Sequence, residues 1–108
     1  MDSISNIYTN NIGVSFRWKG VSSNLTQIIF KDTGFYLSTQ QIELFIDKIQ
    51  HAKLQETCPS CKSILLLTPI NSVSLAVSKA ELVQIEDLLI GTLFQIKMND
   101  YLNYLCKN

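Results

Sequence analysis

One sequence pattern occurs twice in this chain and decides its fold, first as Leu37-Ser38-Thr39-Gln40-Gln41-Ile42 and then as Val77-Ser78-Lys79-Ala80-Glu81-Leu82. In each copy a serine is followed three residues later by Gln or Glu, which is the capping-box pattern of a helix N-terminus. Apolar residues at helical spacing follow both boxes, and a strand-like apolar segment precedes both. The copies are 40 positions apart (78 minus 38). The repeat therefore predicts a strand–strand–helix unit used twice.

The composition limits the classes of protein to which the chain can belong. With 108 residues, 46% of them hydrophobic and 17% charged, it is expected to form one domain over residues 1–108, with pseudo-repeats at about 12–53 and 58–98. Nine basic and nine acidic residues give a formal charge of zero, so the basic surface of a nucleic-acid-binding protein is not expected. Zero charge also permits two copies to approach each other.

The ends and the cysteines of the chain predict its compartment. Residues 1–6 have neither the basic nor the apolar region of a signal peptide, and the longest apolar runs are too short to span a bilayer. Three cysteines are an odd number, which argues against a secreted disulfide framework. We therefore expect a soluble, cytoplasmic protein with no membrane partner.

Alternation of apolar and polar residues predicts strands in the first half. Ile12, Val14, Phe16 and Trp18 alternate with Gly13, Ser15, Arg17 and Lys19, which indicates a half-buried strand. A second strand is predicted at 25–31, a tight turn at 32–34 and a short third strand at 35–37. The helix after the first capping box is predicted at 39–52, with an apolar stripe of Ile42, Phe45, Ile46 and Ile49.

The second helix differs from the first because it carries two apolar stripes. Its core stripe is Leu82, Ile85, Leu89, Leu93 and Ile96. A second stripe, Val83, Ile90 and Phe94, flanks Gly91, and a helix that is apolar on two faces must bury both. Either the C-terminal segment 101–106 or another subunit is expected to cover the second stripe. The predicted homodimer interface consists of Val83, Ile90, Phe94, Tyr101 and Tyr104.

A pair of cysteines supplies the sharpest local motif, Cys58-Pro59-Ser60-Cys61. Two thiolates two residues apart on a turn can face one Zn²⁺, and His51 and Cys106 would complete a Cys₃His set. The alternative is a pair of small, partly buried thiols at a turn. Redox catalysis is disfavoured because the motif leads into a strand, whereas oxidoreductase pairs lie at a helix N-terminus. No cofactor is expected apart from this possible zinc.

The triplet Asp32-Thr33-Gly34 resembles the catalytic triplet of aspartic proteases, and Leu89-Ile90-Gly91 resembles their later apolar-apolar-Gly element. The chain departs from that family at Lys31 before the triplet and Phe35 after it, and no glycine lies between positions 34 and 91 to build a flap. An Asp-Thr-Gly hairpin turn accounts for the triplet without catalysis. An aspartic-protease-like enzyme is therefore the third choice of function.

The order of these motifs resembles small uncharacterised bacterial proteins in which a CxxC precedes a strand, a hairpin and a Ser-x-x-Glu-capped helix, repeated once. The resemblance is carried by Cys58, Cys61, Ser78, Glu81 and Leu82, with Ser38 and Gln41 in the first half. It implies an architecture and no activity. The residues predict an α+β domain with both helices on one face of an antiparallel sheet. Its expected function is a small, non-enzymatic interaction module that forms a homodimer, with a zinc-binding domain as the alternative.

Overall fold

The computed structural model describes residues 4–18, 25–54, 64–70 and 74–106. These residues form, in chain order, β1 (Ile4–Thr9), β2 (Gly13–Trp18), β3 (Leu25–Phe30), β4 (Thr33–Ser38), α1 (Thr39–Ala52), β5 (Ile64–Leu67), β6 (Ser74–Val77) and α2 (Lys79–Cys106). Strands β1 to β4 make an antiparallel sheet in sequence order, and β5 pairs antiparallel with β6. The α+β class is confirmed.

The strand pairs of the two halves do not join into the single sheet that the sequence predicts. Within the described residues, β5 and β6 pair only with each other. The order β3–β4–α1 matches β5–β6–α2, but the pairing differs: Leu37 lies opposite Thr26, whereas Val77 lies opposite Ile64. If the 40-residue offset held for the pairing, Val77 would lie opposite position 66, two residues later than its actual partner Ile64. The first hairpin closes through residues 31–32, whereas 68–73 connect β5 and β6, so the hairpins share an order and not a register.

The turn between β3 and β4 lies one residue earlier than predicted. Lys31 and Asp32 both have positive φ angles, 51° and 61°, which matches the two-residue type I′ turn preferred by twisted hairpins. Strand β4 consequently begins at Thr33 rather than at Phe35. Asp32 is an exposed turn residue, and Thr33 and Gly34 belong to β4. The Asp-Thr-Gly triplet is thus accounted for by hairpin geometry.

Strand β1 is absent from the sequence-based prediction. Its register shifts between Asn6, opposite Phe16, and Tyr8, opposite Ser15, which makes Ile7 the extra residue of a β-bulge. A bulge interrupts the period-2 alternation by which strands are recognised, so the segment gives a weak signal. The shift turns Tyr8 to the same face of the sheet as Ser15.

The two faces of β2 are assigned by its neighbours in the sheet. Ser15 lies opposite Ile28, which lies opposite Phe35, so these three side chains project from one face. All three are buried, and Ser15 contacts α2. Since successive side chains alternate, Val14 and Phe16 project from the other face. Phe16 is buried there, outside the main core cluster. The half-buried strand predicted from the alternation is confirmed, and Ile12 packs against the main core cluster. The alternation gave no signal that Ser15, a polar residue, is fully buried on the face opposite to Phe16.

The main core lies among the two helices, β3 to β6 and the inner face of the sheet. Phe45 of α1 packs against Phe30 and Phe35, with ring centroids 6.3 and 5.9 Å away. Both capping boxes form as predicted: the Ser38 and Ser78 amides donate to the Gln41 and Glu81 side chains, and the serine hydroxyls accept in return. The helix predicted at 39–52 is confirmed. The remaining fully buried core includes Leu37, Ile42, Ile49, Ile64, Leu66, Val77, Leu82, Ile85, Leu88 and Leu89.

The two helices run antiparallel to each other. Glu43 of α1 lies 3.6 Å from Lys97 of α2, and Lys53 at the C-terminus of α1 lies 2.7 Å from Glu86. The later residue of α1 therefore pairs with the earlier residue of α2, which shows that the two helices are antiparallel. Lys31 at the hairpin turn pairs with Glu81 at 3.2 Å and donates to the Ala76 carbonyl, so the turn is tied to the start of α2.

Candidate interaction surface

Helix α2 is one continuous element of 28 residues, about 42 Å long at 1.5 Å per residue. The segment 101–106 is therefore the last part of α2 and does not fold back over the second stripe. One of the two predicted covers for that stripe is thereby excluded. Residues 97–106 are themselves all exposed, and the last buried residue of α2 is Ile96. The C-terminal end of the helix extends past its packed part.

The buried and exposed apolar residues of α2 lie on opposite sides of the helix. With 100° per residue, seven of the eight exposed large apolar residues of α2 fall within about 60° of the line through Val83 and Tyr101, and the eighth, Leu102, lies about 100° away. The buried set lies roughly 100–180° from the same line. The buried set is Leu82, Ile85, Leu88, Leu89, Thr92 and Ile96. The seven exposed residues near that line, called here the outer stripe, are Val83, Ile90, Phe94, Met98, Tyr101, Tyr104 and Leu105. It contains all five predicted interface residues, which confirms their exposure; their contact with a partner stays a prediction.

The outer stripe is large for an exposed apolar surface. Its side chains are between 39% and 66% exposed, and three of the seven are aromatic. Together they present on the order of 700 Å², close to the about 800 Å² that each partner contributes to a standard interface. Exposed apolar patches on monomers typically reach only about 300–600 Å². The exposed area of the outer stripe is therefore above the usual range for a single patch on a monomer.

Two opposite charges, Asp87 and Lys97, lie along the same line as the outer stripe. The Asp87 carboxylate accepts hydrogen bonds from the Tyr8 hydroxyl at 3.0 Å and from the Asn10 side-chain amide at 2.9 Å. The hydrogen bond to Asp87 raises the pKa of the Tyr8 phenol above its ordinary value, and desolvation and the carboxylate charge add to the shift. These contacts hold the Asp87 carboxylate in place along the line of the stripe.

Close packing of β1 against α2 depends on Gly91. A Cβ at this position would lie 2.6 Å from carbons of the Tyr8 ring, so the aromatic ring occupies the space that any other residue would fill. The Asn10 amide also donates to the Gln84 carbonyl at 2.9 Å, which joins the β1–β2 turn to the same helix. Gly91 thus serves the packing within the chain, although the sequence places it between two residues of the second stripe.

The inner side of α2 is anchored by a buried polar pair that the sequence did not reveal. The Ser15 and Thr92 hydroxyls lie 2.6 Å apart, both completely buried, and Thr92 donates to the Leu88 carbonyl. No buried side-chain nitrogen or oxygen in the described ranges lacks a hydrogen-bond partner. Because small hydroxyl residues on a strand and a helix are ordinarily exposed, composition and spacing gave no signal for this contact.

The predicted metal ligands are not brought together within the described part of the chain. His51 is exposed at the end of α1, where its Nδ1 lies 2.8 Å from the Asp47 carbonyl, and Cys106 is exposed at the end of α2. The antiparallel ion pairs place His51 near the level of position 88, about 27 Å along α2 from Cys106. One ion cannot bind both within one chain.

Cys58 and Cys61 fall outside the described residues, so the zinc prediction for this pair stays a prediction. Among the residues that are described, no group of three or more His, Cys, Asp and Glu side chains could hold a metal ion.

Comparison with protein-family models, with curated proteins and with solved structures finds no match to this chain. The resemblance to small bacterial proteins therefore stays a prediction as well. Neither described helix has the length and apolar character needed to cross a bilayer.

Proposed function

We propose that this protein is a small, non-enzymatic interaction module that associates with a second copy of itself through the outer stripe of α2. The observation that supports this function is the pair of opposite apolar faces on one helix. The inner face packs against α1 and the sheet, whereas the side chains of the outer stripe are between 39% and 66% exposed in the described chain. A long apolar surface with aromatic residues is the usual composition of an interface core.

A second copy is the occupant that best fits the outer stripe. Zero formal charge means that two copies do not repel each other at long range. The stripe also carries both an acidic residue, Asp87, and a basic residue, Lys97, so one copy supplies the charges that complement another. An exposed area of on the order of 700 Å² on each copy is sufficient for a stable two-fold interface.

The proposal is tested by comparing Phe94→Asp with Leu44→Asp. Phe94 lies in the outer stripe and is 58% exposed, whereas Leu44 is a 48% exposed apolar residue of α1 outside it. Size-exclusion chromatography with light scattering should find dimers for the wild type and for Leu44→Asp, and monomers for Phe94→Asp. Dimers in all three proteins would refute a role for the stripe. A monomeric wild type at about 100 μM would refute self-association itself.

Two finer features of the architecture are part of the same proposal. We propose that β3–β4–α1 and β5–β6–α2 are copies of one ancestral unit, on the support of their shared order, capping boxes and 40-residue offset. We also propose that both helices cover one face of the four-stranded sheet. Contacts of Phe45 with Phe35 and of Thr92 with Ser15 support this arrangement, because Phe35 and Ser15 project from the same side.

A further inference from the structure

We infer that the two copies pair through α2 in an antiparallel arrangement, with the two-fold axis crossing the helix at the level of Thr92. This inference rests on the proposed self-association and adds its orientation and register. The warrant is the spacing of the residues along the centre line of the outer stripe, together with the charges among them.

The centre line of the stripe has the same spacing when it is followed in either direction. Its residues are Val83, Asp87, Ile90, Phe94, Lys97 and Tyr101. Steps of four and three residues alternate, as at the a and d positions of a two-stranded coiled coil. Each residue before position 92 has a counterpart at the same distance after it, as 83 and 101 do (92 minus 9 and 92 plus 9). An antiparallel pair centred on Thr92 therefore places counterparts opposite each other.

The counterparts are chemically complementary in this arrangement. Val83 lies opposite the partner's Tyr101, Ile90 opposite the partner's Phe94, and Asp87 opposite the partner's Lys97. The two-fold axis generates each contact twice, so the interface contains two ion pairs and four apolar contacts. A parallel pair in register would instead place Asp87 against Asp87 and Lys97 against Lys97. Opposed like charges at an interface are strongly unfavourable, and they select against the parallel orientation.

Both charges are positioned for this contact before the copies meet. Tyr8 and Asn10 hold the Asp87 carboxylate, which retains acceptor capacity because two carboxylate oxygens offer about four lone-pair sites. Lys97 is 61% exposed and lies 3.6 Å from Glu43, and an ammonium with three donors can bind a second carboxylate while it keeps the first. Little side-chain freedom of Asp87 is left to lose on association.

The extended end of α2 has a place in the same arrangement. Position 92 lies at the middle of Lys79–Cys106, so the two helices overlap along their whole length. The exposed residues 97–106 of one copy then lie alongside 78–87 of the other, where α2 is packed on its own domain. Each folded body covers the helix end that its partner leaves exposed.

Disulfide trapping tests the orientation directly. In a chain carrying Cys58→Ser, Cys61→Ser and Cys106→Ser, two variants add Val83→Cys or Tyr101→Cys. Oxidation of the mixture should cross-link the two variants to each other, because only counterparts approach within disulfide distance. The yield of cross-linked dimer should be at least about tenfold higher in the mixture than in either variant oxidised alone. Cross-linking of each variant to itself, with no gain in the mixture, would overturn the antiparallel register.

A control with a native residue and a mass measurement separate the two possible failures. The Cys58→Ser/Cys61→Ser chain keeps Cys106, whose two copies lie about 42 Å apart in the antiparallel pair and should not cross-link. Efficient Cys106 cross-linking in a dimer would overturn the register and leave the self-association standing. Native mass spectrometry of the unoxidised samples detects the other failure, since a monomer would overturn the proposed function together with the register.

Charge reversal supplies a second and independent readout. Lys97→Asp should weaken the dimer about tenfold, because each of the two ion pairs across the interface becomes a pair of facing carboxylates. The double variant Asp87→Lys/Lys97→Asp restores opposite charges at both contacts and should restore the affinity. In a parallel pair the double variant still opposes like charges and restores nothing, which would contradict the inference.

Discussion

The two helices begin with the same capping box and pack the same inner positions, yet their outer surfaces differ. At an offset of 40, the buried residues Ile42, Phe45 and Ile49 correspond to Leu82, Ile85 and Leu89. On the outer side Glu43 corresponds to Val83 and Gln50 to Ile90, so polar residues of α1 are replaced by apolar ones in α2. The inner positions serve the fold that both helices share. The outer positions of α2 are exposed within the described chain, and the self-association proposed above would account for their apolar character.

The largest effect is expected from truncating a phenylalanine of the core, and the same truncation on the outer stripe provides the comparison. Phe45→Ala removes a fully buried ring that contacts Phe30 and Phe35, and should lower the free energy of unfolding by about 3–5 kcal/mol. Phe94→Ala removes an exposed ring and should change the stability of the monomer by less than about 0.5 kcal/mol.

Urea unfolding measures the free energy of unfolding of both variants, at protein concentrations too low for dimers to form. Equal losses would show that Phe94 belongs to the core and would remove the contrast between the two faces.

The difference between the two outer surfaces can be removed by giving α2 the residues that α1 has at the corresponding positions. Val83→Glu combined with Ile90→Gln gives α2 the outer surface of α1, and should weaken self-association by at least about 100-fold, or about 2.7 kcal/mol. The helix should remain folded because neither side chain is part of the inner face.

Sedimentation equilibrium with circular dichroism measures association and helix content together. Gln50→Glu, on the outer side of α1, is the matched control and should leave both unchanged. An unweakened dimer in the exchanged variant would show that the outer stripe is not its interface.

The capping boxes should contribute equally, because their geometry is the same in both helices. In α1 the two hydrogen bonds of the box are 2.9 and 3.2 Å long, and in α2 they are 2.9 and 3.1 Å. Ser38→Ala and Ser78→Ala should each lower the free energy of unfolding by about 1 kcal/mol. Ser38→Asp and Ser78→Asp keep an acceptor at the cap and should recover most of the loss in thermal unfolding. An effect confined to one helix would contradict the equivalence of the two units.

The smallest effect concerns Tyr8, which contacts α2 at the edge of the outer stripe. Its folded-state pKa is raised by the hydrogen bond to Asp87, so the native state holds the phenolic proton more tightly than the unfolded chain does. The resulting stability is fully present below about pH 10 and is lost as the pH rises through the folded-state pKa. Tyr8→Phe should therefore lower the unfolding midpoint slightly at pH 8, and the difference should shrink by pH 11. A difference of the same size at pH 8 and pH 11 would contradict a contribution from the raised pKa of the Tyr8 phenol.

The sequence predicted those parts of the molecule that depend on local patterns. Both capping boxes, the bounds of α1 and the two apolar stripes of α2 follow from short-range spacing, and the structure confirms them. The features that depend on long-range contacts were missed or wrong. Strand β1 is obscured by its bulge at Ile7, and Ser15 is buried only because Thr92 reaches it from α2.

The candidate surface was predicted only in part, for the same physical reason. An apolar stripe can be recognised from residue spacing, so the five residues of the predicted interface could be named in advance, and the structure shows that they are exposed. Whether segment 101–106 folds back over the stripe depends on where α2 ends. No Pro or Gly follows Gly91 to stop the helix, and it continues to Cys106.

Sedimentation equilibrium of the wild-type chain, from about 1 to 100 μM, tests the central claim most directly. If the inner face of α2 serves the fold and the outer stripe serves a second copy, the mass should rise with concentration to twice that of the 12.2 kDa chain. A mass that stays at 12.2 kDa throughout the range would contradict the claim, because the outer stripe would then remain exposed in solution.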